Sequence, residues 1–349
     1  MPTKVLIAMS GGVDSSVAAH LMQRAGFSCG GAIMRLWEES SPTAIADAQA
    51  VADRLQIPFH VLDAQEPFRQ LVVDYFVRSY EIGLTPNPCV QCNRHLKFTY
   101  FLDRALELGY DAIATGHYAQ VRRDAATGRF LLCKAADTNK DQSYFLACLN
   151  QHQLSHVHFP LGELTKNASR EIAEAQGLIT ARKKDSQDIC FVPDGDYVSF
   201  MKRYTGKEYP SGDYLDLNGN VVGKHCGAVC YTLGQRKGLG IALGEPVYVC
   251  SKDMDANTVT VGPETALFAT TLIADNWNWF PFETLTNPIR VMAKARYRHI
   301  PQPATVYPME DDKAKVVFDT PQRAMTPGQT VALYEDDIVI GGGIITEVI

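Results

Sequence analysis

The stretch that decides the fold runs from Val5 to Ser16 and reads Val-Leu-Ile-Ala-Met-Ser-Gly-Gly-Val-Asp-Ser-Ser. Its apolar start predicts a buried strand, its two glycines predict a tight turn, and the residues from about Ser16 to Ala25 have a helical pattern. Glycines let backbone N–H groups approach a phosphate closely, and serine hydroxyls and the positive end of a helix dipole strengthen the attraction. The stretch therefore predicts an anion site where a strand turns into a helix.

The same alternation continues over residues 1–195. Short apolar runs at 5–9, 29–34, 59–62 and 112–114 are separated by helical patterns such as 43–55. This order predicts an α/β domain with a doubly wound, mostly parallel sheet covered by helices on both faces. Ligands of such sheets bind outside the carboxyl ends of the strands.

Two further domains are predicted, since 349 residues exceed the size at which one core keeps growing. Glycines punctuate residues 196–262 and helical periodicity fades there, which indicates a small central mixed domain. Residues 263–349 contain alternating runs at 305–307, 315–318, 330–334 and 338–345, which predict a C-terminal antiparallel β-barrel.

Composition narrows the class of protein. With 46% hydrophobic and 21% charged residues the chain is expected to fold throughout. Nine cysteines, an odd number, and the lack of a signal or membrane segment favour a cytoplasmic protein over a secreted, disulfide-stapled one. At a net charge of −6, binding to nucleic acid would depend on local basic clusters. These clusters are Arg182-Lys183-Lys184, Lys202-Arg203, Arg236-Lys237 and Arg296-Tyr297-Arg298-His299.

The glycine turn is neither a Walker loop nor the dinucleotide fingerprint, because it lacks both the Gly-Lys-Ser/Thr and the Gly-x-Gly-x-x-Gly spacing. Ser-Gly-Gly-x-Asp-Ser instead resembles the PP-loop, or ATP-pyrophosphatase, family. The resemblance implies ATP binding, cleavage between the α and β phosphates, and transfer of AMP to a substrate oxygen. The expected ATP-binding residues are Ala8, Met9, Ser10, Gly11, Gly12, Val13, Asp14 and Ser15 of the loop, with Met34 and Gly116 after the neighbouring strands.

Two cysteines stand in the turn Thr85-Pro86-Asn87-Pro88-Cys89-Val90-Gln91-Cys92-Asn93. Three interpretations are open: a zinc half-site completed by Cys226 and Cys230, a redox dithiol, or a sulfur-transfer pair formed with Cys190. A predicted helix start, with Arg94 and Lys97 nearby in sequence, leads us to expect a lowered thiol pKa. Cys190 lies in a polar stretch and is expected to be exposed.

Six motifs in order carry a closer resemblance: the glycine loop, Asn-Pro-x-x-x-Cys-Asn, Ala-Thr-Gly-His-Tyr, Lys-Asp-Gln-Ser-Tyr-Phe, Asp-Ser-Gln-Asp-Ile-Cys-Phe and Gly-Gln-Arg-Lys-Gly-Leu. Together they resemble bacterial tRNA-specific 2-thiouridylases over essentially the whole chain. The resemblance implies a tRNA sulfurtransferase that uses ATP and Mg²⁺ to adenylate the C2 oxygen of the wobble uridine.

The same resemblance implies the roles of individual residues. Cys190 would carry a persulfide from an external donor protein, and Cys92 would be the nucleophile that releases the sulfur and ends in a Cys92–Cys190 disulfide. The target base is expected to meet Asn87, Pro88 and Cys89. The tRNA-contacting residues are expected to be Lys140, Asp141, Gln142, Arg296 and Tyr297. A monomer without membrane contact and without a resident metal is expected.

One position departs from the family pattern, because Cys89 stands where Asp is typical. A cysteine replaces a carboxylate only when it is ionised. Cys89, Cys92 and Cys190 together give an alternative, an iron–sulfur cluster with one open iron, although the persulfide route is favoured. Two other hypotheses are a PP-loop ligase for a small metabolite and a non-catalytic, ATP-responsive RNA-binding protein.

Overall fold

A five-stranded parallel sheet forms the centre of the N-terminal half. The computed structural model describes residues 2–37, 42–181, 183 and 189–349. The strands of this half are β1 (Lys4–Ala8), β2 (Ser28–Arg35), β3 (Phe59–Asp63), β4 (Ala112–Thr115), β5 (Gln120–Arg123), β6 (Phe130–Cys133) and β7 (Val157–His158). The parallel sheet has the order β3-β2-β1-β4-β7. The winding reverses between β1 and β4, which opens a crevice at their carboxyl ends.

Helices cover both faces of this sheet, as predicted. The helices of the described residues are α1 (Val13–Arg24), α2 (Pro42–Leu55), α3 (Gln65–Phe68), α4 (Asp74–Glu81), α5 (Pro88–Gln91), α6 (Phe101–Glu107), α7 (Ser143–Leu146), α8 (Gln151–Ser155), α9 (Lys166–Ala175) and, in the central domain, α10 (Tyr197–Thr205), with π-helical segments at Arg69–Val73 and Cys92–Tyr100. Val5 and Ile7 of β1 pack against α1 and α2. Leu6 packs on the opposite face with Phe98 and Phe101. Alternate side chains of β1 thus face two separate cores.

The central domain is a small mixed sheet of β8 (Gly212–Leu215), β9 (Val221–His225), β10 (Tyr248–Asp253) and β11 (Thr258–Gly262) in the order β10-β11-β8-β9. Single-turn 3₁₀ segments lie at Ala228–Cys230 and Glu264–Leu267. The expectation that helical structure fades after residue 196 is wrong for α10. Asp196 caps this helix by accepting from the Ser199 N–H at 3.0 Å, and Gly206 ends it with φ +69°.

The C-terminal strands β12 (Phe268–Trp279), β13 (Ile289–Lys294), β14 (Gln302–Pro308), β15 (Ala314–Arg323), β16 (Thr330–Glu335) and β17 (Ile338–Val348) confirm the predicted barrel. They pair in the order β12-β15-β14-β13-β16-β17, and β12 pairs again with β17 to close the ring. The β5–β6 hairpin joins β17 through the pair Ile338 and Cys133. The first and last parts of the chain therefore share one hydrogen-bonded sheet.

Within the described part of the chain, no helix combines the length and apolar character needed to cross a membrane.

Candidate active site

The glycine turn lies at the crevice between β1 and β4 and leads directly into α1. Gly11 has φ +67°, and a Cβ atom added to it would lie 2.5 Å from the Ala44 carbonyl oxygen. Gly12 is the N-cap of α1 and offers no side chain to the first turn of the helix. Because glycines have no side chains to cover the backbone, the N–H groups of the turn are accessible to an anion. The positive end of the α1 dipole adds to the attraction.

The loop serines hold the turn in shape. Ser15 Oγ accepts from the Ser10 N–H at 3.1 Å and donates to the Gly12 carbonyl at 3.1 Å, while Ser16 Oγ donates to the same carbonyl at 2.8 Å. The hydroxyl protons of Ser15 and Ser16 are therefore used inside the loop. Backbone amides are the main donors left for a phosphate.

The other residues expected at the ATP site surround this turn. A Cβ atom added to Gly116 would lie 2.7 Å from both Asp14 C and Ser15 N, so the residue after β4 has to be small. Met9 is buried, and its N–H donates to the Ala32 carbonyl at 2.8 Å. Met34 is half-buried at the end of β2 and packs against two hydrophobic clusters. The side chains of Ala8 and Val13 also belong to hydrophobic clusters.

Sequence reasoning missed the residues that hold Asp14. The Lys166 ammonium lies 2.7 and 2.8 Å from the two carboxylate oxygens of Asp14, and the Tyr118 hydroxyl donates to the same carboxylate at 2.9 Å. The side chain of Lys166 is only 9% exposed. Tyr118 belongs to the quoted Ala-Thr-Gly-His-Tyr motif, but Lys166 comes from α9, so only the folded chain brings it to the loop.

Lys183 supports the outer side of the glycine turn. Its ammonium donates to the Gly11 carbonyl at 2.9 Å and to Asp47 Oδ2 at 2.8 Å. It belongs to the first basic cluster, whose other members, Arg182 and Lys184, lie outside the described residues. The Asp-Ser-Gln-Asp part of the motif before Cys190 also lies outside them.

In the cysteine turn, Asn87 caps the short helix α5 that carries Cys89. Asn87 Oδ1 accepts from the Val90 N–H at 3.4 Å, and Pro88 occupies the first position of α5. Cys89 is exposed, whereas Cys92 is buried where the π-helical segment begins. Such i→i+5 insertions in helices are frequent at functional sites.

Cys190 lies close to this turn although it is distant in sequence. The following residue, Phe191, packs in the same hydrophobic cluster as Cys92, with its ring centroid 5.3 Å from that of Phe76. Negative charge on Cys190 or Cys89 raises the pKa of the Cys92 thiol, and negative charge on Cys89 raises the pKa of the Cys190 thiol. The three thiols are therefore near enough to influence one another electrostatically, and Cys190 is exposed, as expected.

The expectation of a lowered thiol pKa is wrong. Burial raises the pKa of Cys92 to about 12. Cys89 and Cys190 have exposed surface, but the protein around their sulfur atoms desolvates them enough to raise their pKa values as well. Lys97 acts in the opposite direction on all three thiols, but burial outweighs it. Desolvation disfavours the thiolate, and sequence proximity to a helix start does not reveal it.

A four-cysteine zinc site is not formed. Cys226 and Cys230 lie together in the central domain, where Cys226 Sγ is 3.3 Å from the Tyr231 hydroxyl. Over residues 2–37, 42–181, 183 and 189–349, no group of three His, Cys, Asp or Glu side chains is arranged to hold a metal ion.

The residues expected to contact tRNA differ in their surroundings. Some have side chains that bond to other parts of the fold, and others are half-buried at its surface. Asp141 accepts from the N–H groups of Ala135 and Ser143, and Gln142 Oε1 accepts from the Tyr118 N–H at 2.9 Å, so these two side chains support the fold. Lys140 is half-buried on the same segment.

Arg296 and Tyr297 also differ in their surroundings. The Arg296 guanidinium donates to the Leu233 carbonyl at 3.1 Å and to the Thr326 hydroxyl, and burial lowers its pKa. It thereby connects the central domain to the barrel. Tyr297 is half-buried with its ring 4.3 Å from that of Phe145, which is near Lys140 in sequence.

Comparisons with known proteins agree with this architecture. Residues 3–194 match the family described as tRNA methyl transferase HUP domain, residues 198–263 the tRNA methyl transferase PRC-barrel domain, and residues 269–345 the aminomethyltransferase beta-barrel domain. The chain is 46% identical to the tRNA-specific 2-thiouridylase MnmA of Clostridioides difficile (strain 630), over 99% of this chain and 98% of that protein. It is 47% identical to the protein of the same name from Acetivibrio thermocellus, over 98% of this chain and 99% of that one.

Among solved structures, a 4-thiouridine synthetase–RNA complex with bound ATP is similar at a TM-score of 0.39 and 15% identity, over 58% of this chain and 50% of that chain.

Proposed function

The chain belongs to the tRNA-specific 2-thiouridylase family of tRNA sulfurtransferases, and on that premise we propose that it adenylates the C2 oxygen of the wobble uridine with ATP and replaces it with sulfur carried by Cys190. The proposal has two halves, a nucleotide half at the glycine turn and a sulfur half at the cysteines. Each half rests on its own geometry.

The nucleotide half uses the backbone of Gly11 and Gly12. Their N–H groups and the start of α1 would hold the β and γ phosphates of ATP while the uridine oxygen attacks the α phosphorus and pyrophosphate leaves. Mg²⁺ would be bound chiefly by the phosphates, because the Asp14 carboxylate is already paired with Lys166. The product of this half is an adenylated uridine with AMP as its leaving group.

The sulfur half is a thiol exchange between two cysteines. An external donor protein leaves a persulfide on Cys190, and the Cys92 thiolate attacks the Cys190 Sγ atom. A Cys92–Cys190 disulfide forms, the outer S–S bond breaks, and hydrosulfide leaves with the electron pair. Hydrosulfide adds to C2 of the uridine, AMP departs with the original oxygen, and the proton of the hydrosulfide is released. Two external thiol groups then supply the two electrons that reduce the Cys92–Cys190 disulfide and become a disulfide themselves.

One observation carries this half most strongly. Cys92 and Cys190 come from distant segments, yet charge on Cys190 acts on the Cys92 thiol, and Phe191 packs in the cluster that contains Cys92. In this arrangement the base would enter beside Asn87, Pro88 and Cys89, while Lys140 and Tyr297 approach the tRNA from the neighbouring surface.

The direct experiment is mass spectrometry of unmodified tRNA after incubation with the protein, ATP, Mg²⁺ and a sulfide source. We expect oxygen-to-sulfur exchange at the wobble uridine, and unchanged nucleosides would refute the proposal. With a persulfide donor, Cys92→Ser and Cys190→Ser should abolish the exchange, whereas Cys226→Ser, which alters an exposed cysteine in the central domain, should retain it. Full turnover of ATP by both cysteine variants, without thiolation of tRNA, would favour a ligase for a small metabolite instead.

A further inference from the structure

Lys97 lies on the π-helical segment that begins at Cys92. The Phe101 N–H donates to the Leu96 carbonyl, which is the i→i+5 bond of a widened turn. In such a turn residues five apart, like Cys92 and Lys97, return to the same side of the helix. Leu96 and Phe98, on either side of Lys97, are fully buried in two different hydrophobic clusters. The backbone of Lys97 is therefore fixed where the two clusters meet.

Lys97 is half-buried, and the described groups on which its charge acts are thiols and an imidazole. Its charge acts on Cys89, Cys92 and Cys190, and also on His117. His117 follows β4 and lies one residue from Gly116 of the nucleotide site. Burial lowers the pKa of His117 well below its usual value, so the ring is neutral at physiological pH. Lys97 thus lies between the cysteines and the nucleotide loop.

Lys97 forms no ion pair with a carboxylate of the described residues, unlike Lys166 and Lys183. It shares this with the half-buried lysines Lys252 and Lys294, but neither of those is among the charges that act on the three thiols. A partly desolvated ammonium gains most from a nearby anion. Within the described part of the chain, the ionisable groups on which the Lys97 charge acts are three thiols and a neutral imidazole, so the candidate anions there are sulfur atoms.

We propose that Lys97 is a positioning residue for sulfur transfer, stabilising the Cys92 thiolate and the hydrosulfide that leaves Cys190. This role rests on the proposed function. Cys92 needs such a partner because its thiol is buried, and Cys89 and Cys190 oppose its ionisation. The effect of Lys97 on Cys92 exists before tRNA or ATP binds, which makes it measurable by itself.

The test is the pH dependence of iodoacetamide alkylation of Cys92 in the full-length protein, followed by mass spectrometry of chymotryptic peptides. Lys97→Met should move the profile up by about one pH unit, so that alkylation at a given pH slows about tenfold. Lys97→Arg should stay near the wild-type profile. Arg94→Gln is the matched control, because Arg94 is on the same segment but its charge acts on Cys148 and is not among the charges that act on Cys92.

Two results would overturn the inference: an unchanged profile in Lys97→Met, or an equal shift in Arg94→Gln. Circular dichroism and thermal unfolding identify a misfolded variant, and Lys97→Gln then replaces Lys97→Met. Thiolation of tRNA is scored separately. If Lys97→Met shifts the alkylation profile but the wild-type protein does not thiolate tRNA, the inference about Lys97 stands and the proposed function is rejected. If the wild-type protein thiolates tRNA but Lys97→Met shows no shift, the proposed function stands and the inference about Lys97 is rejected.

Discussion

Asp14 illustrates how single residues hold the nucleotide loop. Its carboxylate receives Lys166 from α9 and Tyr118 from the segment after β4. Gln142 in turn accepts from the Tyr118 N–H at 2.9 Å and donates its own N–H to the Tyr118 carbonyl at 2.9 Å. A short chain of hydrogen bonds therefore joins the Lys140–Gln142 segment to the glycine turn.

Lys166→Met should weaken both the fold and adenylation, because it leaves the Asp14 carboxylate without its ion-pair partner. We expect a loss of about 2 kcal/mol in the free energy of unfolding, less than for a fully buried pair, since the Asp14 side chain is 31% exposed. Denaturant unfolding and tRNA-dependent pyrophosphate release measure the two effects. Arg104→Met, which breaks an exposed pair with Glu107, should change neither by more than about 0.5 kcal/mol. Equal effects of the two substitutions would contradict this reading of Asp14.

For single residues, the sequence predicts a role when that role depends on the backbone conformation of the neighbouring residues. Gly11 and Gly12 are predictable because a phosphate loop needs residues without side chains between a strand and a helix. Lys166 is not, because its partner is 152 positions away. The raised pKa of Cys92 is also hidden, since burial arises from packing by residues such as Phe76 and Phe191 that lie in other parts of the chain.

At the scale of elements, the connection between β13 and β14 combines several basic groups. His299 lies there, and burial together with the charges of Arg296, Lys294 and Arg323 lowers its pKa to about 4. In the unfolded chain a histidine protonates near its ordinary value of 6.5. A lowered folded pKa contributes stability above pH 6.5, and that stability is lost as the pH falls towards 4.

His299→Gln should therefore make the protein less sensitive to acid. We expect the wild type to lose about 1–2 kcal/mol more than the variant between pH 7 and pH 5, in urea unfolding at each pH. Between pH 7 and pH 8 the imidazole is neutral in both states, so the two proteins should show parallel curves there. An identical loss from pH 7 to pH 5 would show that His299 does not protonate on unfolding.

The sequence predicts helices and strands correctly where the apolar residues follow a single helical or strand period. The strands β1 to β4 and the helices α1 and α2 were located within a few residues, because each has a clear apolar pattern. The helix α10 was missed although Tyr197, Phe200, Met201 and Tyr204 have helical spacing, since surrounding glycines suggested irregular structure. The strands β12 and β13 are not predicted individually, because apolar residues such as Phe268 and Met292 occupy exposed positions there and obscure the alternation.

At the scale of the whole molecule, the barrel supports the cysteine turn. Gln329 Nε2 donates to the Thr85 carbonyl at 2.7 Å, and the Thr85 N–H donates to the Pro327 carbonyl at 3.0 Å. Gly328 has φ +90°, and a Cβ atom there would lie 3.0 Å from the Thr85 nitrogen. The C-terminal domain thus fixes the start of the segment that carries Cys89 and Cys92, a contact that no local pattern predicts.

Gln329→Ala should slow tRNA thiolation about tenfold while lowering the free energy of unfolding by about 1 kcal/mol, because small displacements of reacting groups cost more in rate than one hydrogen bond costs in stability. Single-turnover thiolation and denaturant unfolding give the two numbers. Gln322→Ala is the control, because within the described part of the chain the Gln322 side-chain amide donates only to Thr320 in its own strand. A wild-type rate for Gln329→Ala would mean that the barrel does not hold the turn during the reaction.

The most direct test of the proposed mechanism compares the amount of Cys92–Cys190 disulfide with the amount of 2-thiouridine formed. Protein loaded with a persulfide on Cys190 is mixed with ATP, Mg²⁺ and unmodified tRNA, without added reductant, and both 2-thiouridine and the Cys92–Cys190 disulfide are quantified by mass spectrometry. We expect one disulfide for each 2-thiouridine in the wild-type protein, and neither product in Cys92→Ser. Thiolated tRNA formed without that disulfide, or formed by Cys92→Ser, would contradict this mechanism.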